Sequence, residues 1–283
     1  MTPAPDLALL IPNAPCTPQT RDDAILHLSG GGAVTTGAPY ALPPAGLFVC
    51  TFGPSPPLAT HAVALVGDSH AGTWRAALAF VARSRHWQGA SITRASCPFS
   101  DAVPVIPEAL IASCVAWRPS VAAWFLANPQ VDTMFVVDHA VARVVPAPGR
   151  SRFETAVEGY LSAWQALPAT VAHIVVIRDT PEIGRATAPC VQSAIARHRP
   201  TAGACALRRG LVLAADPAVV AAQRLPSRVA VIDMTHYFCG PKVCYPVIGG
   251  VLVFRDPGHM TQLYSQTLGP YLLRNVARVP ALR

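Results

Sequence analysis

Charge is scarce in this 283-residue chain: 13% of residues are charged, against 52% hydrophobic. That shortage excludes disorder over the whole length, because a chain this apolar has enough material for a sizeable core. Long apolar runs are also missing. The longest uninterrupted one, near Val247 to Phe254, is about half of what a spanning helix needs. The start, Met-Thr-Pro-Ala-Pro-Asp, lacks a basic n-region and carries only a short apolar patch around Leu7 to Ile11. No signal peptide is read there. The formal charge of +7 comes largely from arginine, and the arginines are scattered. With no basic helix interleaved with aromatics and no zinc-finger or RNA-binding signature, nucleic acid is excluded as the expected partner. The surplus is read as a bias toward polyanionic surfaces. The triple glycine Gly30 to Gly32 lacks a Gly-Lys-Ser/Thr ending and a preceding strand, so it is read as a loop and not a phosphate cradle.

Cysteine, by contrast, is well represented: Cys16, Cys50, Cys97, Cys114, Cys190, Cys205, Cys239 and Cys244. An even number lying mostly in loops points to disulfides and an oxidising compartment. Eight cysteines allow 105 connectivities. The simplest joins neighbours along the chain, so that each bond closes one local loop. Buried free thiols in a cytosolic protein are the alternative. A zinc site fits less well, because Cys239 and Cys244 have no second close pair. Neither a metal nor a cofactor is expected.

Residues 1–55 are rich in Pro, Gly, Ala and Thr and read as a loop-rich lead-in, held by Cys16 and Cys50 and packed on a domain spanning 56–283. Within that domain, Ala62 to Val66 is a fully apolar run ending at Gly67, the pattern of a central buried parallel strand. Further strands are expected at Ala90–Arg94, Thr133–Val137, His173–Ile177 and Val229–Asp233. Helices are expected at Ala71–Arg83, Glu108–Leu126, Phe153–Leu167 and Gln262–Asn275. Alternating strands and helices imply an α/β fold with a parallel sheet covered on both faces. The five tryptophans, Trp74, Trp87, Trp117, Trp124 and Trp164, fall mostly at helical core spacing.

The chemistry lies in two short segments. Val-Ala-Leu-Val-Gly-Asp-Ser-His places Ser69 between the first of these strands and a helix. Ligands of parallel α/β sheets bind at such strand ends, and a helix N-terminus there favours a developing oxyanion. A serine hydroxyl still needs a base. Phe-Arg-Asp-Pro-Gly-His-Met-Thr supplies one near the other end of the chain, with Asp256 and His259 three residues apart. His259 takes the Ser69 proton through one ring nitrogen while Asp256 holds the other. Taken singly, Asp-Ser-His also fits an ordinary helix cap, and Asp-Pro-Gly-His a simple turn.

Together, Gly67-Asp68-Ser69-His70 and Asp256-x-x-His259 resemble the SGNH/GDSL hydrolase superfamily. More narrowly, the chain resembles the SGNH domain fused to bacterial acyltransferase-3 membrane proteins. Cys50, Ala-Ser-Cys-Pro at 95–98, Cys114 with Trp117, Arg-Asp-Thr-Pro at 178–181 before Cys190, and the Cys239–Cys244 segment carry that narrower likeness, over roughly residues 45–275. The resemblance implies a flavodoxin-like SGNH three-layer fold with disulfide-bonded loops, outside the cytoplasmic membrane. It implies an O-acyltransferase, in which an acyltransferase-3 membrane domain delivers the acyl donor in cis or in trans. A hydroxyl of a cell-surface glycan is the acceptor. An esterase or deacetylase with the same triad, and a non-catalytic glycan-binding domain, are the alternatives. The superfamily's Gly-x-Asn-Asp block is missing; Val137-Asp138-His139-Ala140 occupies its place. Backbone N–H groups of Ser69 and of the Ala95–Ser96 turn are therefore expected to form the oxyanion hole. Asp68, His70, Asp138 and His139 are assigned to the substrate cleft, with a plain strand-end turn as the alternative for Asp138 and His139.

Overall fold

Strands buried on both faces need apolar residues at every position, and the central strands have them. The computed structural model describes residues 17–19, 46–54 and 58–282. In chain order it holds β1 (Thr17–Gln19), β2 (Val49–Phe52), β3 (His61–Gly67), β4 (Trp87–Thr93), β5 (Val131–Val137), β6 (His173–Ile177), β7 (Leu207–Arg208) and β8 (Val229–Ile232). Helix α1 (Ser69–Arg85) follows β3, α2 (Glu108–Ala127) follows β4 and α3 (Arg152–Gln165) follows β5. Helices α4 (Thr187–Ala196) and α5 (Pro217–Ala222) lie between β6 and β8, and α6 (Gln262–Val276) comes last.

The large sheet has the order β1-β2-β4-β3-β5-β6-β8. Strands β4, β3, β5, β6 and β8 are parallel to one another. The pleat decides what covers each face. Ala62, Ala64 and Val66 of β3 join a core with Trp117, Val121 and Trp124 of α2 and Tyr160 and Trp164 of α3. Val63 and Leu65 face the other way, against Trp74, Leu78 and Val81 of α1 and Leu268 and Leu272 of α6. All five tryptophans are buried, Trp87 from a strand and the other four from helices. Gly269 lets α6 approach α1 closely, since a Cβ there would stand 2.6 Å from the Cβ of Phe80.

Three disulfides tie the loops: Cys97–Cys114, Cys190–Cys205 and Cys239–Cys244. Each joins neighbours along the chain. Cys50 is disulfide-bonded as well; Cys16, its expected partner, lies outside the described residues.

The elements depart from the sequence reading in three places. The segment read as a loop-rich lead-in contributes β1 and β2, which extend the sheet antiparallel beside β4. Strands of three and four residues, Thr-Pro-Gln and Val-Cys-Thr-Phe, are too short to carry a clear period that would betray them. Helices α4 and α5 were not expected at all, being short and weakly patterned. Finally, α2 is long and apolar enough by composition to cross a membrane, with 20 residues and mean hydropathy 1.4, although Arg118 and Pro119 interrupt its apolar run. It packs Cys114, Trp117, Val121, Trp124 and Phe125 inward. The Val247–Phe254 run instead folds back as a hairpin of β10 (Val247–Ile248) and β11 (Val251–Leu252); β9 (Val243–Cys244) pairs with β7.

The chain leaves β3 for β4 on one side and returns to β5 on the other. This reversal opens a crevice at the carboxyl ends of β3 and β5, the usual ligand position in open α/β sheets.

Candidate active site

Gly67 ends β3 with φ +146°, and a Cβ there would lie 2.0 Å from the Val137 carbonyl oxygen. Only glycine lets β3 and β5 stay this close while the chain turns. Asp68 then caps α1, accepting the His70 N–H at 2.8 Å. The tight turn leaves Ser69 at the first position of the helix, partly exposed on the crevice. On the far side, the loop before α6 brings back His259. The Ser69 hydroxyl donates to His259 Nε2 at 2.7 Å. His259 Nδ1–H donates to Asp256 at 2.8 and 2.9 Å to the two oxygens.

Asp256 Oδ1 also accepts the backbone N–H groups of Gly258 and His259. Partial burial works to raise the pKa of this carboxyl, but the hydrogen bonds from His259 and Gly258 outweigh it, and the net shift is downward. Asp256 therefore stays ionised while it orients the ring. The loop is fastened from behind: Ile183 N–H donates to the Pro257 carbonyl at 2.7 Å, and Thr180 Oγ1 donates to the Gly258 carbonyl at 3.2 Å.

Beneath the crevice a row of aspartates staples the strand exits together. Asp138, after β5, accepts N–H groups of Asp68 and of Phe99 from the β4 exit. Asp68 accepts the His139 N–H at 3.0 Å. Asp179, after β6, accepts the Ala140 and Thr180 N–H groups and, at 2.7 Å, His70 Nδ1–H. Asp216, capping α5, accepts the Asp179 N–H. Burial raises the pKa of Asp68, pushes that of Asp138 well up with the help of the Asp68 charge, and brings Asp216 to about 6. His70 goes the opposite way to ordinary buried imidazoles. Desolvation works to lower its pKa, but the charge and hydrogen bond of Asp179, with Asp68 and Asp256 behind, bring it up to about 9.

The crevice has a volume of about 400 Å³. Its polar floor holds Ser69, His70, His259 and His139, with Glu182 and Arg143 at the rim. His139 stacks on His70 at 4.2 Å and donates from Nε2 to Glu182 at 3.3 Å. The opposite wall is apolar: Pro104, Val105, Ile106 and Val141. The loops after β4 and β5 pair to build that wall, Val105 N–H bonding the Arg143 carbonyl and Val145 N–H the Val103 carbonyl.

Of the residues assigned from sequence, Ser69, His259 and Asp256 stand in direct hydrogen-bond contact, and Asp68, His70 and His139 line the crevice. Ser96 lines it too, in left-handed backbone with φ +59°, while Ala95 sits beside it without lining it. Asp138 is different: it is 3% exposed and lies below the crevice, holding loops instead of facing substrate. Its position after an apolar strand looked cleft-facing, but the pleat turns it under. Sequence reasoning missed Asp179, Glu182 and Arg143. The Arg178-Asp179-Thr180-Pro181 motif was visible without a role. Only the sheet order reveals that Asp179 reaches His70.

His70, His139 and Asp179 bring ligand-type atoms within 4.8 Å of one another. The His70–Asp179 contact of 2.7 Å is a direct hydrogen bond. The cluster is therefore a hydrogen-bonded pair under a stacked ring.

Comparison with known proteins agrees with this architecture. Residues 38–274 match the family described as SGNH domain (fused to AT3 domains). No curated protein matches the chain significantly. Among solved structures, the periplasmic domain of a lipopolysaccharide acetyltransferase from Salmonella ser. Paratyphi A is similar, with 13% identity and a TM-score of 0.57 over 78% of this chain and 85% of that one. At that identity the likeness concerns the fold alone.

Proposed function

The chain belongs to the SGNH domains that occur fused to AT3 domains, and from that premise we propose that it is a serine O-acyltransferase acting on an extracytoplasmic glycan. The observation that carries this reading is the continuous relay Ser69–His259–Asp256, with contacts of 2.7 and 2.8 Å, open to a crevice at the sheet's switch point.

His259 Nε2 removes the Ser69 proton as Oγ attacks the carbonyl carbon of the acyl donor. Charge collects on the carbonyl oxygen at the N-terminus of α1. The His70 N–H is taken up by Asp68, so the Ser69 N–H is the helix-end donor offered there, with the Ser96 turn opposite. The imidazolium of His259 protonates the departing group and leaves an acyl ester on Ser69. A sugar hydroxyl then attacks that ester, His259 accepts its proton and returns it to Ser69, and the acyl group departs on the sugar. Asp256 stays a carboxylate throughout. The apolar wall of Val105, Ile106 and Val141 suits a short acyl group, and the polar rim with Arg143 and Glu182 suits a sugar.

The donor in this reading is an acyl group delivered by an AT3 membrane domain, in cis or in trans, and an acetyl group is the favoured cargo. The disulfides and the family support an extracytoplasmic location. The glycan acceptor is supported by the similar acetyltransferase domain, whose name specifies lipopolysaccharide. Residues 56–283 are the acyl-transfer unit in this reading, with 1–55 as the lead-in packed on it.

Product analysis with an activated acetyl ester, with and without polysaccharide, tests the reading. Acetyl groups should appear on sugar hydroxyls with wild-type protein and vanish with Ser69→Ala. Hydrolysis indifferent to every glycan would make the protein an esterase. Unchanged ester turnover by Ser69→Ala would remove Ser69 as the nucleophile.

A further inference from the structure

A second histidine–aspartate couple lies directly under the proposed relay, and neither of its members takes part in the steps above. His70 Nδ1–H donates to Asp179 Oδ1 at 2.7 Å, and the two side chains are 4% and 3% exposed. Asp179 is fixed in turn. Its carboxylate accepts Thr180 N–H and Ala140 N–H, and its own N–H bonds Asp216. The His70 ring therefore cannot swing.

The other edge of that ring faces the catalytic loop. A Cβ added at Gly258 would stand 3.2 Å from His70 Cε1 and Nε2. The loop between Asp256 and His259 thus passes close to the His70 edge, leaving barely the room of one methyl group between them. The His259 ring centroid is 4.8 Å from that of His70. A side chain at position 258 would press on the His70 edge, so that ring and loop would have to part by a few tenths of an ångström.

Resting on the reading of Ser69 and His259 as nucleophile and base, we propose that His70 and Asp179 form a positioning pair that holds the Asp256–His259 loop in register with Ser69 and keeps a positive charge beneath it. The groups facing His70 are Asp179 from the β6 exit, Asp68 from its own helix cap, His139 from the β5 exit, and Asp256 and His259 from the loop before α6. Glu182 reaches the cluster through His139. Three carboxylates act on one imidazole, which accounts for its pKa of about 9. The cation balances this anionic row and attracts Asp256, whose ionised state the relay needs. When His70 loses its proton, the loop loses that attraction and a charge-assisted hydrogen bond to Asp179 becomes a neutral one.

The expected consequence is an alkaline fall in kcat as pH rises through about 9, the value to which His70 is raised. His70→Phe keeps a ring under Gly258 but removes the charge. It should lower kcat at neutral pH by ~10²-fold, the scale of a small misplacement of reacting groups. KM should hold, and the alkaline limb that belongs to His70 should disappear. Asp179→Asn should move that limb downward, toward the ordinary histidine value of about 6.5. Circular dichroism confirms that each variant is folded. Wild-type kcat and pH profile in both folded variants would overturn the proposal. So would a loss of kcat with the wild-type limbs in place, the mark of a merely structural role. If a variant fails to fold, an NMR titration of His70 in the native protein decides: protonation held to about pH 9 supports the pair, and a neutral ring at pH 7 overturns it. Ser69→Ala separates the two readings. Full activity there removes the nucleophile assignment, whereas its loss beside indifferent His70 and Asp179 variants removes only the positioning pair.

Discussion

Two histidine–aspartate couples stand side by side in this domain, and they differ in exposure far more than in chemistry. In His259–Asp256 the side chains are 25% and 39% exposed, and in His70–Asp179 only 4% and 3%. The exposed couple meets a hydroxyl at its free nitrogen and the crevice beyond it, so it can pass protons to and from a bound molecule. The buried couple is surrounded by backbone N–H donors and another ring, so its proton stays where the field of the carboxylates holds it. In the proposed readings the same pair of residues serves as a base in one place and as a fixed cation in the other. Access to water and substrate decides which.

Substitutions at the working couple and its serine should break this contrast most sharply. Ser69→Ala is expected to lower ester turnover by ~10⁴-fold or more, measured as kcat on a small acetyl ester. Asp256→Asn should approach the same loss, because the wrong His259 tautomer then faces Ser69. The equivalent change in the buried couple, Asp179→Asn, should cost only ~10²-fold. Equal losses for the two asparagine variants would erase the distinction drawn here.

Above neutral pH, stability should respond to the buried couple through His70. His70 is raised in the folded state to about 9, above the ordinary value of about 6.5. Its contribution is therefore fully present below pH ~6.5 and is lost as pH rises through about 9. Melting temperatures between pH 7 and 10 should fall more steeply for the wild type than for His70→Phe. The smallest effect on the contrast is expected from replacing Cys97 and Cys114 by serine. That removes a cross-link between residues 17 apart, worth about 3 kcal/mol, without touching either couple. Chemical denaturation should register the loss. The acid limb of the pH–rate profile should stay where it is, although the Ser96 turn next to Cys97 makes a lower kcat the expected companion.

Much of this was legible along the chain. The apolar runs of β3, β5, β6 and β8 announce strands, and the helix expected from Phe153 is α3, which the structure starts one residue earlier behind a Ser151–Glu154 capping box. Asp256 and His259 sit close enough in sequence for one turn to join them. The short strands β1 and β2 were illegible because their partners, not their own pattern, make them strands. For Asp138 the structure favours the alternative of a strand-end turn over the cleft, and for a related reason sequence left both open: strand-end residues alternate between the crevice and the loops beneath it, and sequence shows only that they end a strand.

The sequence by itself determined which segments are buried and that a helix follows Ser69, and it made the joining of neighbours the simplest expectation for the cysteines. These depend on side-chain period, caps and short loop closure, all set within a few residues to about twenty. Only the tertiary structure decided that His259 comes to Ser69 across 190 residues and that Asp179 comes to His70 across 109. The second meeting follows from the order β4-β3-β5-β6-β8, which brings strand exits together whatever their distance in the chain, and the first from the packing of α6 on α1 and the bonds of Ile183 and Thr180 to the loop before α6. Sheet order is settled by how whole faces pack, and no local spacing encodes it.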